Sequence, residues 1–380
     1  MCFFFQLYRY HKHRLIPGIK WDYIPTELLD EILVRLPVES LIRFTSVCKS
    51  WHSIITSPSF IAKHLNHSKR MTENLLLVTY TFIYRRKRYL LCRGDEKFGD
   101  EFAKLESPLS TSLGHMVGNC NGLFCMIDTT SPPCIILWNP LIRKSVTLPM
   151  PPSLPHTPHP QFVLGFGAHP TTHEYMLVFI LYEKADIEQG KLPSKVELYT
   201  QGTGSWRSIT SVGHPHHILR HNCFQAFVNG AIHWIACDRR VVDGLSSLIM
   251  LFHMGSQAFS EMMMPAALVN EMQLRLSIMS YGESLAVLCH GQEGSCGVWV
   301  MKEYGVAESW AKLYNINPPG VLAYKILGFR KSGEVLLWMS DKRLLCYDCE
   351  TKTLTNTGYT GSSDAFAADT FMESLVLVKP

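Results

Sequence analysis

The sequence predicts an α+β chain of more than one domain: a small N-terminal helical unit followed by an all-β propeller of about six blades. Three observations predict it. Between residues 24 and 65 apolar residues recur at helical spacing. From residue 74 onward that periodicity gives way to short alternating or apolar runs, separated by Gly, Asn, Asp, Pro and Ser clusters. These runs then recur as one unit roughly every fifty residues, the spacing of a four-stranded blade. With 380 residues, 47% hydrophobic and 18% charged, the chain has room for the helical unit and one large domain. The expected boundaries are a flexible basic tail over 1–20, the helical unit over 21–68 and the β domain over 74–380.

The tail MCFFFQLYRYHKHRLIPGIK carries Arg9, Lys12, Arg14 and Lys20 and no acid. The rest of the chain then holds 32 residues of each sign, so the net charge of +4 belongs to the tail. No nucleic-acid footprint is expected on the fold. The tail's apolar run is about five residues, with no basic residue before it and no small-residue cleavage site after it, so it does not read as a signal peptide. No apolar run approaches the roughly 18 residues of a membrane span.

In the helical unit, Leu28, Leu29, Ile32, Leu33 and Leu36 fall on one stripe of a first helix. Glu27 beside Pro25 suits its first turn. Pro37 stops that helix and can open the next. Leu41 and Phe44 line a short second helix; Val47, Trp51, Ile54 and Ile55 stripe a third. So much apolar surface on about forty residues is marginal alone, and a partner is its natural cover.

In the β domain one unit is a strand, a polar turn and a strand with an aromatic or aliphatic anchor. It recurs as IILWNPLIRKSVTLP, VELYTQGTGSWRSI, IMLFHMGSQAFSEMMMP, VWVMKEYGVAESWAKLYNI and LLCYDCETKTLTNTGY. A second is a hairpin turning on Asn-Gly or Gly-Glu: GNCNGLFCMI, AFVNGAIHWIA and SYGESLAVLCH. Five blades follow directly. A sixth forms if NLLLVTYTF and KRYLLC pair with ESLVLV at 373–378, closing the ring through both ends of the chain.

Candidate chemistry is sparse. Twelve cysteines at irregular, mostly apolar positions suggest buried thiols in a reducing compartment. Cys346 and Cys349 form a CxxC, but in a strand pattern before a turn, with no second ligand pair. His214, His216, His217, His221 and Cys223 share a turn-rich stretch broken by Pro215, which favours a solvated connection over zinc. His233 beside Trp234 reads as a packed strand residue. GFGAHP at 165–170 lacks the third glycine and the following helix of a dinucleotide fingerprint. Arg85-Arg86-Lys87-Arg88 reads as a charged turn in the closing blade, with a nuclear signal as the competing reading. PMPPSLPHTPHP at 149–160 reads as an exposed connecting loop. No catalytic residue, metal site or cofactor is expected.

The segment 24–65 resembles an F-box, the adaptor-binding motif of cullin-RING ubiquitin ligases. The resemblance rests on Ile24-Pro25 with Glu27, Glu31-Ile32-Leu33, Arg35-Leu36-Pro37-Val38, Leu41 and Val47-Cys48-Lys49-Ser50-Trp51. The β domain is similar to the F-box-associated domain of plant F-box proteins, often labelled F-box/kelch-repeat. Here the matches are Gly118-Asn119-Cys120-Asn121-Gly122-Leu123, Trp138-Asn139-Pro140 with Arg143-Lys144, Leu164-Gly165-Phe166-Gly167, Val228-Asn229-Gly230 with His233-Trp234, Trp299 to Gly305 with Ser309-Trp310, and the tail FMESLVLV. The paired glycines of true kelch repeats are missing.

The resemblance implies a non-catalytic substrate-recognition subunit of an SCF-type ligase, in the cytoplasm and/or nucleus. Ile24, Pro25, Leu28, Leu29, Ile32, Leu33, Leu36, Pro37, Val38, Leu41, Val47 and Trp51 would bind a Skp-type adaptor. That adaptor carries the cullin and its RING subunit, and the propeller would bind an unknown protein substrate, with no nucleic acid and no membrane as partner. A non-ligase adaptor-binding role and S-locus-like pollen recognition are the alternatives the motifs leave open.

Overall fold

A computed structural model describes residues 26–70, 75–81, 87–93, 101–106, 108–109, 114–128, 133–155, 161–182, 195–209, 217–219, 225–238, 246–272, 275–291, 295–318, 324–330, 333–360 and 367–377. The tail over 1–20 lies outside them.

Four helices come first: α1 (Thr26–Leu33), α2 (Val38–Phe44), α3 (Lys49–Ile55) and α4 (Pro58–Arg70). Helix α1 ends three residues earlier than its apolar stripe suggests. Arg35 N–H and Leu36 N–H donate to carbonyls three residues back, at Ile32 and Leu33, which tightens the exit into a turn before Pro37. Pro37 then stands just before α2, at φ −58° and ψ 147°. Ser57 opens α4 by accepting from Phe60 N–H at 3.2 Å, with Pro58 at the first helical position.

Twenty-five strands follow, arranged in six antiparallel sheets among the described residues. The first sheet holds β1 (Leu75–Thr81), β2 (Lys87–Arg93) and β3 (Glu101–Glu106). The second runs β4 (His115–Cys120), β5 (Leu123–Asp128), β6 (Cys134–Asn139) and β7 (Lys144–Leu148) from axis to rim. The third has β8 (Gln161–Ala168), β9 (Tyr175–Tyr182), β10 (Lys195–Thr200) and β11 (Ser205–Ser208). The fourth has β12 (His217–Leu219), β13 (Ala226–Val228), β14 (Ala231–Asp238), β15 (Ser246–His253) and β16 (Ala258–Met262). The fifth comprises β17 (Leu276–Tyr281), β18 (Ser284–His290), β19 (Cys296–Met301) and β20 (Trp310–Ile316). The sixth comprises β21 (Tyr324–Phe329), β22 (Val335–Met339), β23 (Arg343–Tyr347) and β24 (Leu354–Thr360). The last strand, β25 (Ala367–Phe371), pairs with β1 and completes the first sheet in the order β25-β1-β2-β3.

The ring therefore closes through both chain ends, but not with the segment expected. Leu75 pairs with Phe371 and Thr79 with Ala367, so the closing strand precedes ESLVLV. Residues 373–377 serve a different purpose, because Leu375 turns into the helical core and Leu377, at φ 73°, packs against the core between the second and third sheets.

The turn chemistry is as the residues dictate. Asn121-Gly122 and Asn229-Gly230 both have positive φ, the I′ requirement of two-residue hairpins. The glycines of LGFG meet a different demand. Gly165 and Gly167 on β8 lie under Trp234 and Phe227 of the fourth sheet, and a Cβ at Gly167 would come within 2.5 Å of the Phe227 ring. GFGAHP is thus strand and tight packing, with no helix after it.

Neighbouring sheets are also buttoned at the rim. Trp206 Nε1 on β11 donates to Pro149 O at 2.8 Å, just after β7. Trp310 Nε1 on β20 repeats this toward Met263 O at 3.1 Å, just after β16. The Pro-rich stretch is consequently docked at its start rather than simply exposed. Pro151 is buried, and Ser153 Oγ donates to the buried Glu197 carboxylate at 2.7 Å. Its later residues, 156–160, lie outside the described residues. Trp206→Phe removes the indole donor while keeping an aromatic ring. We expect about 1 kcal/mol of lost stability in urea titration, and no loss would mean that the bond is not formed in solution.

Candidate functional site

The helical unit has two unlike sides. On one, Leu33, Val34, Val38, Leu41, Ile55 and Phe60 form a core with Leu375, packed against Leu141 and Ile142 from the β6–β7 turn. Leu33 is 1% exposed, and Val38, Leu41 and Leu375 are fully buried. The unit too small to enclose a core completes it with the propeller and the C-terminal segment.

Polar contacts fix the same junction. Glu373 Oε2 accepts from Val38 N–H at 2.9 Å, satisfying a free donor at the start of α2. Both N–H groups of the buried Asn139 carboxamide are used, toward Ser374 O at 2.8 Å and Val376 O at 2.9 Å. Gly122 has φ 77°, and a Cβ there would sit 2.5 Å from Met372 O, so its hairpin turn also admits the passing chain. Asn139, Glu373, Ser374 and Leu375 were not legible as a junction. WNP and ESLVLV each look like ordinary strand grammar.

On the other side the apolar stripe is uncovered. Leu28 is 57%, Ile32 44% and Val47 40% exposed, three of the six large hydrophobics left in the open among the described residues. Leu28 and Ile32 are one turn apart and share a face of α1. Pro37 is exposed beside them in sequence, while Leu29, Leu36 and Trp51 are half-buried against the core. Trp51 packs edge-on to Phe44 at 5.1 Å. Ile24 and Pro25 lie outside the described residues. The predicted set thus divides: Leu33, Val38 and Leu41 hold the unit to the propeller, whereas Leu28, Ile32, Pro37 and Val47 face outward.

Charged pairs border the outward side. Lys63 bridges Asp30 and Glu31, Arg35 reaches Glu31 at 3.4 Å and Arg43 reaches Glu39 at 2.5 Å. Hydrogen bonding from Lys63 holds the Glu31 carboxyl below the usual carboxylate range. Exposed pairs of this kind add little stability and keep a polar rim around an apolar patch. His64 is buried at the junction, its Nε2 3.1 Å from Leu36 O, and burial lowers its pKa.

Among the described residues no cluster of three His, Cys, Asp or Glu side chains could hold a metal. Of the histidine-rich stretch only His217 falls within them, in the short strand β12. Cys346 is buried in β23 and Cys349 lies in the following turn, neither of them in a disulfide, with burial pushing Cys349 up to about 11. His233 is fully buried; its Nδ1 lies 3.2 Å from Ala226 O and its Nε2 2.8 Å from the Tyr304 hydroxyl. Of the basic run, Lys87 and Arg88 open β2, and Arg85-Arg86 lie outside the described residues.

Comparison with known proteins matches the F-box domain to residues 21–63 and the F-box associated beta propeller domain to residues 93–377. Among curated proteins of Arabidopsis thaliana, F-box protein At3g07870 is 27% identical, over 86% of this chain and 85% of its own length. F-box protein CPR1 is 24% identical over 93% and 89%. F-box/kelch-repeat protein At3g23880 is 28% identical over 86% and 88%. An uncovered apolar helical face, a closed six-sheet ring and a match over most of the chain agree, and the protein belongs to the F-box-associated β-propeller family, with an F-box at its N-terminus.

Proposed function

We propose that this chain is the client-recognition subunit of an SCF-type ubiquitin ligase, with no catalytic residue of its own. The observation that carries the proposal is the outward face of α1 and the α2–α3 turn: Leu28, Ile32 and Val47 stay exposed on a unit whose opposite side is fully packed. Such a face, rimmed by charge, suits an apolar helical partner, here a Skp-type adaptor carrying a cullin and its RING subunit. The half-buried Leu29, Leu36 and Trp51 and the outward Pro37 extend that contact, as Ile24 and Pro25 would.

The helices pack on the β6–β7 turn through Leu141 and Ile142, and the C-terminal segment passes over the β4–β5 turn at Gly122, so together they cover the ring face that carries both turns. The client would bind the opposite face, where loops on a rigid ring can vary without disturbing it. The receptor's share of the chemistry is then positioning. It holds a client lysine within reach of the ubiquitin thioester so that the lysine amine attacks the carbonyl and the thiolate leaves. Free cysteines throughout the described residues fit a reducing compartment, cytoplasm or nucleus.

The test is Leu28→Asp with Ile32→Asp, scored by co-purification of the adaptor. Both side chains are exposed, so the melting temperature should hold. Desolvating carboxylates at the contact should cut adaptor recovery tenfold or more, on the order of the usual cost of a buried charge. Undiminished recovery would refute this docking face. Adaptor capture without cullin would refute the ligase role and leave an adaptor-binding protein.

A further inference from the structure

The first twenty residues and the outward face of α1 are chemically matched, and they belong to one chain. Five of the first ten residues are aromatic, namely Phe3, Phe4, Phe5, Tyr8 and Tyr10, against 11% over the whole sequence. Leu7 lies among them. A run this apolar is unfavourable in water and gains by reaching an apolar surface. Residues 1–25 lie outside the described residues. Among the described ones, none covers the exposed Leu28, Ile32 and Val47, which offer that surface.

Charge matches as well. Residues 1–20 carry Arg9, Lys12, Arg14 and Lys20 and no acid. Residues 26–44 hold four acids (Glu27, Asp30, Glu31 and Glu39) and two bases (Arg35 and Arg43), a net of −2. Lys63, which bridges to Asp30 and Glu31 from α4, reduces this to −1. The side chains of Glu31 and Glu39 remain about half exposed, where ion pairs exchange partners at little cost.

Attachment brings the two surfaces together. Phe5 stands 21 positions before Thr26. A linker of that length spans about 25 Å at random-coil dimensions, whereas the eight residues of α1 cover about 12 Å. Pro17-Gly18, lying between, is a dipeptide that favours reversal of the chain. A tethered segment meets its target at an effective concentration on the order of 1 mM. A contact with a dissociation constant of about 0.1 mM would then leave the face open roughly one-tenth of the time and weaken a competitor about tenfold.

We propose that residues 1–20 dock back on the outward face of their own helical unit and that an adaptor must displace them. Phe3, Phe4 and Phe5 lie against Leu28, Ile32 and Val47, with the basic residues beside Glu31 and Glu39. The contact itself is independent of any adaptor; its inhibitory effect rests on the docking face proposed above.

A photoreactive benzoylphenylalanine in place of Phe4, in the full chain, tests the contact. Illumination should give crosslinks within one chain that map by mass spectrometry to residues 26–49. Leu28→Asp with Ile32→Asp should cut their yield about tenfold. Crosslinks to the ring, crosslinks only between two chains, or none at all would overturn the inference. Adaptor titration then reads the inhibition. Phe3→Ser, Phe4→Ser and Phe5→Ser together should raise adaptor affinity about tenfold, and excess adaptor should suppress the parent's crosslink. Equal adaptor affinity of the parent and the triple-serine variant would overturn the inhibitory role. If neither chain bound adaptor while the intramolecular crosslink formed, the docking reading would fall and the contact would stand.

Discussion

Leu375→Asp should release the helical unit from the propeller while the six sheets stay folded. Leu375 is fully buried among Leu33, Val38, Leu41, Ile55 and Phe60. A carboxylate there has no partner, and burying an unpaired charge costs several kcal/mol. The junction offers a way out, because the unit can swing away and let the carboxylate reach water. Adjacent contacts would fail with it: Val38 N–H loses the Glu373 carboxylate, and Asn139 loses the carbonyls of Ser374 and Val376. The expected result is two unfolding transitions in calorimetry where the parent shows one, and rapid proteolysis within residues 26–70. Leu375→Ala should give the same direction at about 2–5 kcal/mol. A single transition at the parent temperature in the Asp variant would mean that the C-terminal segment is not the clasp described.

The second large effect is on pH. His233 is fully buried between β13 and Tyr304 of the fifth sheet. Since a carbonyl can only accept, Nδ1 carries the proton toward Ala226 O and Nε2 accepts from the Tyr304 hydroxyl. Burial, reinforced by the nearby His253 and partly opposed by the bonds to the Ala226 and Ala231 backbone, lowers the pKa of His233 from its ordinary 6.5 to about 4. The folded state therefore keeps a neutral ring where the unfolded chain binds a proton. Stability is complete above pH about 6.5 and falls as pH drops toward about 4, by about 3 kcal/mol at most. His233→Gln should flatten that window in denaturant titrations at stepped pH. If the variant kept the parent slope between pH 6.5 and 4, another group would be responsible.

Much of the architecture was readable from residue order. Hairpins at Asn121-Gly122 and Asn229-Gly230 follow from local conformational preference, since both positions need positive φ. The strand units were readable for the same reason: alternation and turn residues act over a few neighbours. The clasp was not. ESLVLV is as good a strand as AADTF by composition, and both lie near the end of the chain. Only the ring's geometry selects Ala367–Phe371 to pair with β1 and sends Leu375 to the helices. The fate of the helical stripe was equally hidden. Leu28 and Leu33 belong to one amphipathic pattern, yet one is exposed and the other buried.

The sequence by itself determined that short helices precede a closed ring of sheets, because helical and strand periods are local properties of side-chain order. It also determined the turn residues and the apolar stripe that a partner could use. Only the tertiary structure decided which part of that stripe faces out, and that the C-terminal segment locks helices to ring. The reason is physical. Residues 38, 122, 139 and 375 are distant along the chain, and nothing in local preference brings them together. Closure of the ring does, and it also places the exposed side of α1 at one end of the molecule.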